Sequence, residues 1–128
     1  MPSNVSAKAR ILLVATDLIL ESRVVEPARA LGYDVTTAGT LEAVREALRS
    51  GPADVLVLDL QADGVPWREV VAAAREVTNS RLPILAYGRH TKPDLLRAAR
   101  AAGCDLAVPR SQLVEELPRL IERVRGGV

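Results

Sequence analysis

Four short apolar runs in this 128-residue chain each lead directly to residues able to do chemistry. Asp17 follows Arg10–Ala15, and Asp59 closes Ala53–Asp59. Gly88 and Arg89 follow Leu82–Tyr87, and Arg110 follows Asp105–Val108. A carboxylate at such a place can hold a hard cation, cap a helix or pair with a guanidinium. Other chemistry is closed off by composition. His90 is the single histidine, which removes most metal-site and triad arrangements. Cys104 is the single cysteine, so an intrachain disulfide and a cysteine-based cluster are both impossible. Trp67, Tyr33 and Tyr87 are the only aromatic residues, too few for a base-stacking platform.

The elements that must carry these residues follow from periodicity. Arg10–Ala15, Tyr33–Ala38, Ala53–Asp59, Leu82–Tyr87 and Asp105–Val108 read as strands, most of them apolar enough to be buried on both faces. Between them lie helix-period segments. Leu18–Leu31 ends at Gly32, and Pro27 within it is expected to kink or divide the helix. Thr40 caps a second helix with the stripe Leu41, Val44 and Leu48, stopped by Ser50-Gly51-Pro52. A third runs from Trp67 to Thr78, and a fourth from Pro93 to Ala102, ending at Gly103. Ser111 is expected to cap the last, Gln112–Arg125, which Pro118 interrupts.

Five alternations of strand and helix imply an α/β fold: a parallel five-stranded sheet with helices on both faces, a three-layer sandwich. Right-handed crossovers favour the flavodoxin-like strand order 2-1-3-4-5. Sites in such sheets lie at the C-terminal strand ends, where the chemistry-bearing residues gather. Residues 9–126 are expected to form this one domain, with 1–8 as a disordered polar tail.

The net charge of +1 gives no bulk attraction to nucleic acid. No apolar run approaches the length of a membrane span, and the N-terminus has no signal-peptide core, so a cytoplasmic protein is expected. From residue 81 onward basic residues outnumber acidic ones by 9 to 5.

Over residues 9–125 the chain resembles the response-regulator receiver family of two-component signalling. The match rests on RILLV in strand one, ALGYDV, TTAGTLEAV, DVLVLDL around Asp59, LPIL, and RAAGCD before strand five. The resemblance implies a phospho-acceptor aspartate at Asp59. It also implies two acids after strand one for Mg²⁺, a Thr or Ser after strand four, a Lys after strand five, and a switch aromatic in strand five. This sequence departs at nearly all of these places. Ala15 and Thr16 stand where the acidic pair belongs, with Asp17 one residue late. Gly88 offers no hydroxyl, Ala107 replaces the aromatic and Arg110 replaces the lysine. Asp63 stands in place of the proline of the loop after Asp59.

Mg²⁺ requires near-octahedral oxygen ligands, and Asp59 with Asp17 supplies too few. A structural Asp59–Arg110 ion pair is therefore expected to fill the pocket. Asp17 is read mainly as a helix cap. His90 is expected exposed and inert, Cys104 buried, and Trp67 partly exposed over local apolar surface.

The expected function is that of an atypical, non-enzymatic pseudo-receiver working through protein contacts, without a cofactor or bound metal. The surface of the fourth helix, fifth strand and fifth helix, with Arg89, Lys92, Arg97 and Arg100, is the expected interface to a partner or a second copy. No direct contact with nucleic acid or membrane is expected. The alternative is a phosphorelay receiver that uses Mg²⁺ and takes a phosphoryl group on Asp59 from a histidine kinase. A small-molecule binder of flavodoxin-like form is more remote, since Ala15-Thr16-Asp17 is no glycine-rich phosphate loop. Kinase, target and oligomeric state are not encoded legibly, and both a stand-alone protein and an excised receiver fit the sequence.

Overall fold

In the computed structural model, which describes residues 9–78 and 81–126, the apolar runs become five parallel strands. They are β1 (Arg10–Val14), β2 (Asp34–Ala38), β3 (Val55–Asp59), β4 (Ile84–Gly88) and β5 (Leu106–Pro109), in the spatial order 2-1-3-4-5. The expected flavodoxin-like topology is what forms. The tail expected over residues 1–8 lies outside the described residues.

Alternation along each strand divides the core into two layers. Leu12, Val14, Leu56, Leu58, Ile84 and Ala86 point to one face. They meet α2 (Leu41–Ser50), α3 (Trp67–Thr78) and α4 (Pro93–Ala101) through residues such as Val44, Val70 and Leu96. Ile11, Leu13, Val55, Val57, Leu85 and Tyr87 point to the other. There they meet α1 (Leu18–Ala30), α5 (Arg110–Glu115) and α6 (Leu117–Gly126). The inner strands are buried on both sides, which is why they read as unbroken apolar runs.

Helix ends follow the local chemistry. The Thr40 hydroxyl accepts from the Ala43 amide and caps α2. Gly32 has φ of 93°, and the Tyr33 and Gly32 amides donate to Ala28 and Arg29, a closing pattern that needs this left-handed residue. Gly103 ends α4 in the same manner, with φ of 114°.

Three expectations need correction. Pro27 does not divide α1, which is one helix from Leu18 to Ala30. Its missing amide removes a single bond, and Leu20, Val24 and Ala28 hold the helix to the sheet on either side of it. Ser111 does not cap the last helix. Pro109 occupies the cap position, so β5 passes straight into α5 and Ser111 lies inside it. The expected long last helix is two helices broken at Glu116, with Pro118 tolerated in the first turn of α6.

Arg75 supplies a tie that no pattern announced. From α3 its guanidinium donates to the carbonyls of Leu82 (2.5 Å) and Gly103 (2.6 Å) and to the Asp105 carboxylate (3.1 Å). Asp105 in turn accepts from the Ile84 amide. One side chain thus fixes the N-terminal edges of β4 and β5.

Candidate functional site at the C-terminal strand ends

The strand ends open into a cleft of about 280 Å³. It brings together Thr16, Asp17, Asp59, Gly88, Arg89 and Arg110, as the topology requires, and adds Gln61, Asp63 and Tyr87. Ala15 and Ala107 do not line it, being buried in the sheet.

Asp17 is the best-satisfied group. It precedes α1 in extended conformation, and its Oδ1 accepts from the Ile19 (3.0 Å) and Leu20 (3.2 Å) amides. Its Oδ2 accepts from Arg110 Nη2 at 2.6 Å. The Leu20 amide first, and then the Arg110 guanidinium, hold the Asp17 carboxyl below the ordinary aspartate range. The cap reading of Asp17 is correct.

The expected Asp59–Arg110 ion pair is not. Arg110 is bound to Asp17, 93 residues away in sequence, and so links the start of α1 to the start of α5. Asp59, the last residue of β3, accepts instead from the Gln61 amide at 2.8 Å. That bond, the nearby Arg110 charge and, least, the neighbouring Tyr87 hydroxyl only partly offset its burial, and the Asp59 carboxyl is pushed above the ordinary aspartate value.

Gln61 and Tyr87 are the residues that sequence reasoning missed. Gln61 Oε1 accepts from the Arg89 amide at 2.7 Å, bridging the ends of β3 and β4. A Cβ added at Gly88 would stand 3.4 Å from that oxygen and 3.6 Å from methyl groups of Leu95 and Leu96. Gln61, in the turn after β3, thus fills space that a side chain at position 88 would meet. Tyr87 lies beside Asp59 in the sheet register. It is 1% exposed, and its hydroxyl has no hydrogen-bond partner among the described residues. Burial first, and then the charge of Asp59, raise its phenol far above the ordinary value. The signal for both was available in kind: an amide and a phenol beside strand-end residues.

The residues present do not fit Mg²⁺. Among the described residues no three His, Cys, Asp or Glu side chains gather to hold a metal. Asp17, expected from the sequence as the second ligand, is engaged by two amides and a guanidinium.

Of the remaining positions, His90 is exposed and Cys104 buried, as expected. Burial pushes the Cys104 thiol up to about 11, which leaves it unreactive at neutral pH. Trp67 is half-buried against the core with Arg68 over its ring, 4.5 Å from the centroid. Arg97 is paired with Asp94 on its own helix, and Arg100 donates to the Ala107 carbonyl. Lys92 is exposed at the start of α4.

No protein-family model matches the chain, and no curated protein matches its sequence. Solved structures do match its fold. The receiver domain of NtrX from Brucella abortus superposes with a TM-score of 0.82 at 16% identity, covering 91% of this chain and 98% of that one. A response regulator receiver domain protein from Clostridium thermocellum gives 0.78 at 16% identity, covering 92% and 94%. The N-terminal domain of a response regulator/sensory box/GGDEF 3-domain protein from Carboxydothermus hydrogenoformans gives 0.77 at 22% identity, covering 91% and 94%. The chain has the fold of response-regulator receiver domains. No helix among the described residues is long and apolar enough to cross a membrane.

Proposed function

We propose that this chain is a receiver-type signalling module that acts through protein–protein contacts and does not depend on Mg²⁺-assisted phosphorylation. The observation that carries this reading is the Arg110–Asp17 bond. Asp17, the carboxylate expected to join Asp59 in holding a cation, is committed to a guanidinium and to capping α1. A divalent cation would have to displace Arg110 from Asp17 Oδ2 to bind there. With Gly88 offering no hydroxyl and Ala107 no aromatic ring, the chain also lacks parts that would report the event.

The contact surface proposed for this role is that of α4, β5 and α5. Lys92 supplies exposed charge there, while Arg97 and Arg100 are already engaged within the chain. A histidine kinase acting on Asp59 remains the rival, supported by the position of Asp59 at the end of β3 in an open cleft. Treatment with acetyl phosphate and Mg²⁺, or with beryllofluoride, separates the two. The proposal expects no Asp59-dependent mass shift and no perturbed amide resonances around residues 59, 61 and 88. Either change, lost in Asp59→Asn, establishes the rival.

A further inference from the structure

The sheet has two outer edges, and the fold treats them differently. At β5, Ala107 and Val108 are buried, and Arg100 reaches from α4 to donate to the Ala107 carbonyl at 3.0 Å. β2 has no such cover. The Asp34 amide donates to the Ala9 carbonyl, and the Ala38 carbonyl accepts from the Ala15 amide. Residues 34, 36 and 38 therefore turn their backbone groups toward β1, and alternation turns those of Val35 and Thr37 away from the sheet. No described residue bonds to these outward groups, which leaves them as a template for another strand. α2 packs beside this edge, against β2 and β1. Its inner face is Val44, Ala47 and Leu48. Its outer face is Glu42, Arg45, Glu46 and Arg49, all exposed and spaced as one helical stripe. The signs of that stripe are self-complementary: against an antiparallel copy, Glu42 meets Arg49 and Arg45 meets Glu46.

We propose that β2 and α2 together form a self-association surface, on which a second copy of this chain pairs its β2 antiparallel to this one across a two-fold axis. With the axis at Thr36, Val35 lies opposite the partner's Thr37, and each such pair exchanges both of its backbone bonds. Asp34 then lies opposite Ala38, so no like charges are opposed in the strands. α2 runs back along β2, so the same axis sets the two α2 helices antiparallel, the order their charges need. The two centres also lie level. Thr36 is roughly 7 Å below the end of β2, and the middle of the stripe, between Arg45 and Glu46, is roughly 7 Å below the start of α2. Within one chain Glu46 and Arg49 hold only a loose pair at 3.6 Å, both well exposed, and can exchange it for partners across the axis. A strand from an unrelated protein would fit the edge but has no reason to match the stripe. The contact is small, which makes the dimer weak and transient. It lies apart from the strand-end cleft and from the surface of α4, β5 and α5, and does not depend on whether Asp59 takes a phosphoryl group.

The test follows the mass of the whole chain by sedimentation velocity from about 10 μM to about 1 mM, with amide hydrogen exchange on the same samples. The proposal expects a dimer that grows with concentration and weakens with added salt. The Val35 and Thr37 amides should gain protection as the dimer forms, whereas the Asp34, Thr36 and Ala38 amides, bonded to β1, should be protected throughout. R45E/R49E makes the stripe wholly acidic and E42R/E46R makes it wholly basic, and each should weaken self-association by about tenfold or more. Mixing the two variants should restore a dimer, now of unlike chains. Their circular dichroism should match that of the parent, because all four side chains are exposed. Any of four results overturns the proposal: a monomer at 1 mM, a dimer that leaves the Val35 and Thr37 amides unprotected, undiminished self-association of both charge variants, or no association in their mixture.

Discussion

Replacing Tyr87 by phenylalanine should stabilise this protein, the reverse of the usual result of removing a buried hydroxyl. The side chain is 1% exposed, and its oxygen has no hydrogen-bond partner among the described residues. Taking a hydroxyl out of water without a new bond costs about 1–3 kcal/mol in protein mutational data. Deleting the oxygen leaves a gap of roughly 10–15 Å³, which at about 24 cal/mol per Å³ costs only some 0.3 kcal/mol. The net expectation is a gain of about 1–2 kcal/mol, or a rise in Tm of roughly 4–8 °C for a domain of this length. Urea unfolding followed by circular dichroism measures it directly, with the slope unchanged and the midpoint raised. Tyr33→Phe provides the contrast, because the Tyr33 hydroxyl accepts from Arg125 Nη1 at 2.7 Å. The same chemical change there should cost about 0.5–1.5 kcal/mol. If Tyr87→Phe instead loses stability, the hydroxyl is bonded, and Asp59 is the neighbour to suspect. A double-mutant cycle with Asp59→Asn would then measure the strength of that bond.

Asp59→Asn should itself stabilise the fold at neutral pH. Burial raises the folded-state value of Asp59 above 3.8, so the folded chain binds this proton more tightly than the unfolded chain does. The penalty for the ionised carboxylate is absent below 3.8, grows as pH rises through the folded value and is complete above it. The advantage of the variant in urea midpoint should therefore be present at neutral pH and vanish on acidification below 3.8; an advantage that persists there counts against the assignment. Arg75→Ala should cost about 1–2 kcal/mol, since three bonds to the edges of β4 and β5 are lost. Hydrogen exchange should quicken first at the Ile84 and Asp105 amides, and uniform quickening across the sheet would show that Arg75 is not a local tie.

The parts of the fold that sequence made legible are those decided by pattern. Unbroken apolar strands such as ILLV and VLVLD have only one burial pattern that satisfies them, and glycines at 32 and 103 mark helix ends because only they accept positive φ cheaply. Cleft membership was legible for Thr16, Asp17, Asp59, Gly88 and Arg110, since strand ends in this topology converge, but not for Ala15 and Ala107, which are buried. Partners within the cleft were not. Chain position brings Arg110 near both Asp17 and Asp59, and the outcome depends on a balance of desolvation that spacing does not encode. Asp17 sits at the rim with its carboxylate 40% exposed, so Arg110 can pair with it while both stay partly hydrated. Drawing the guanidinium over Asp59 would strip water from a second charge at a more buried site. Asp59 is served instead by the Gln61 amide, a neutral donor two residues away that needs no such desolvation. Arg110 is held at the start of α1 and not over β3, and with Arg89 it lines both the strand-end cleft and a surface groove beside it. Drawing Arg110 toward Asp59 would strip Asp17 Oδ2 of its ion pair while Oδ1 still caps α1 through the Ile19 and Leu20 amides.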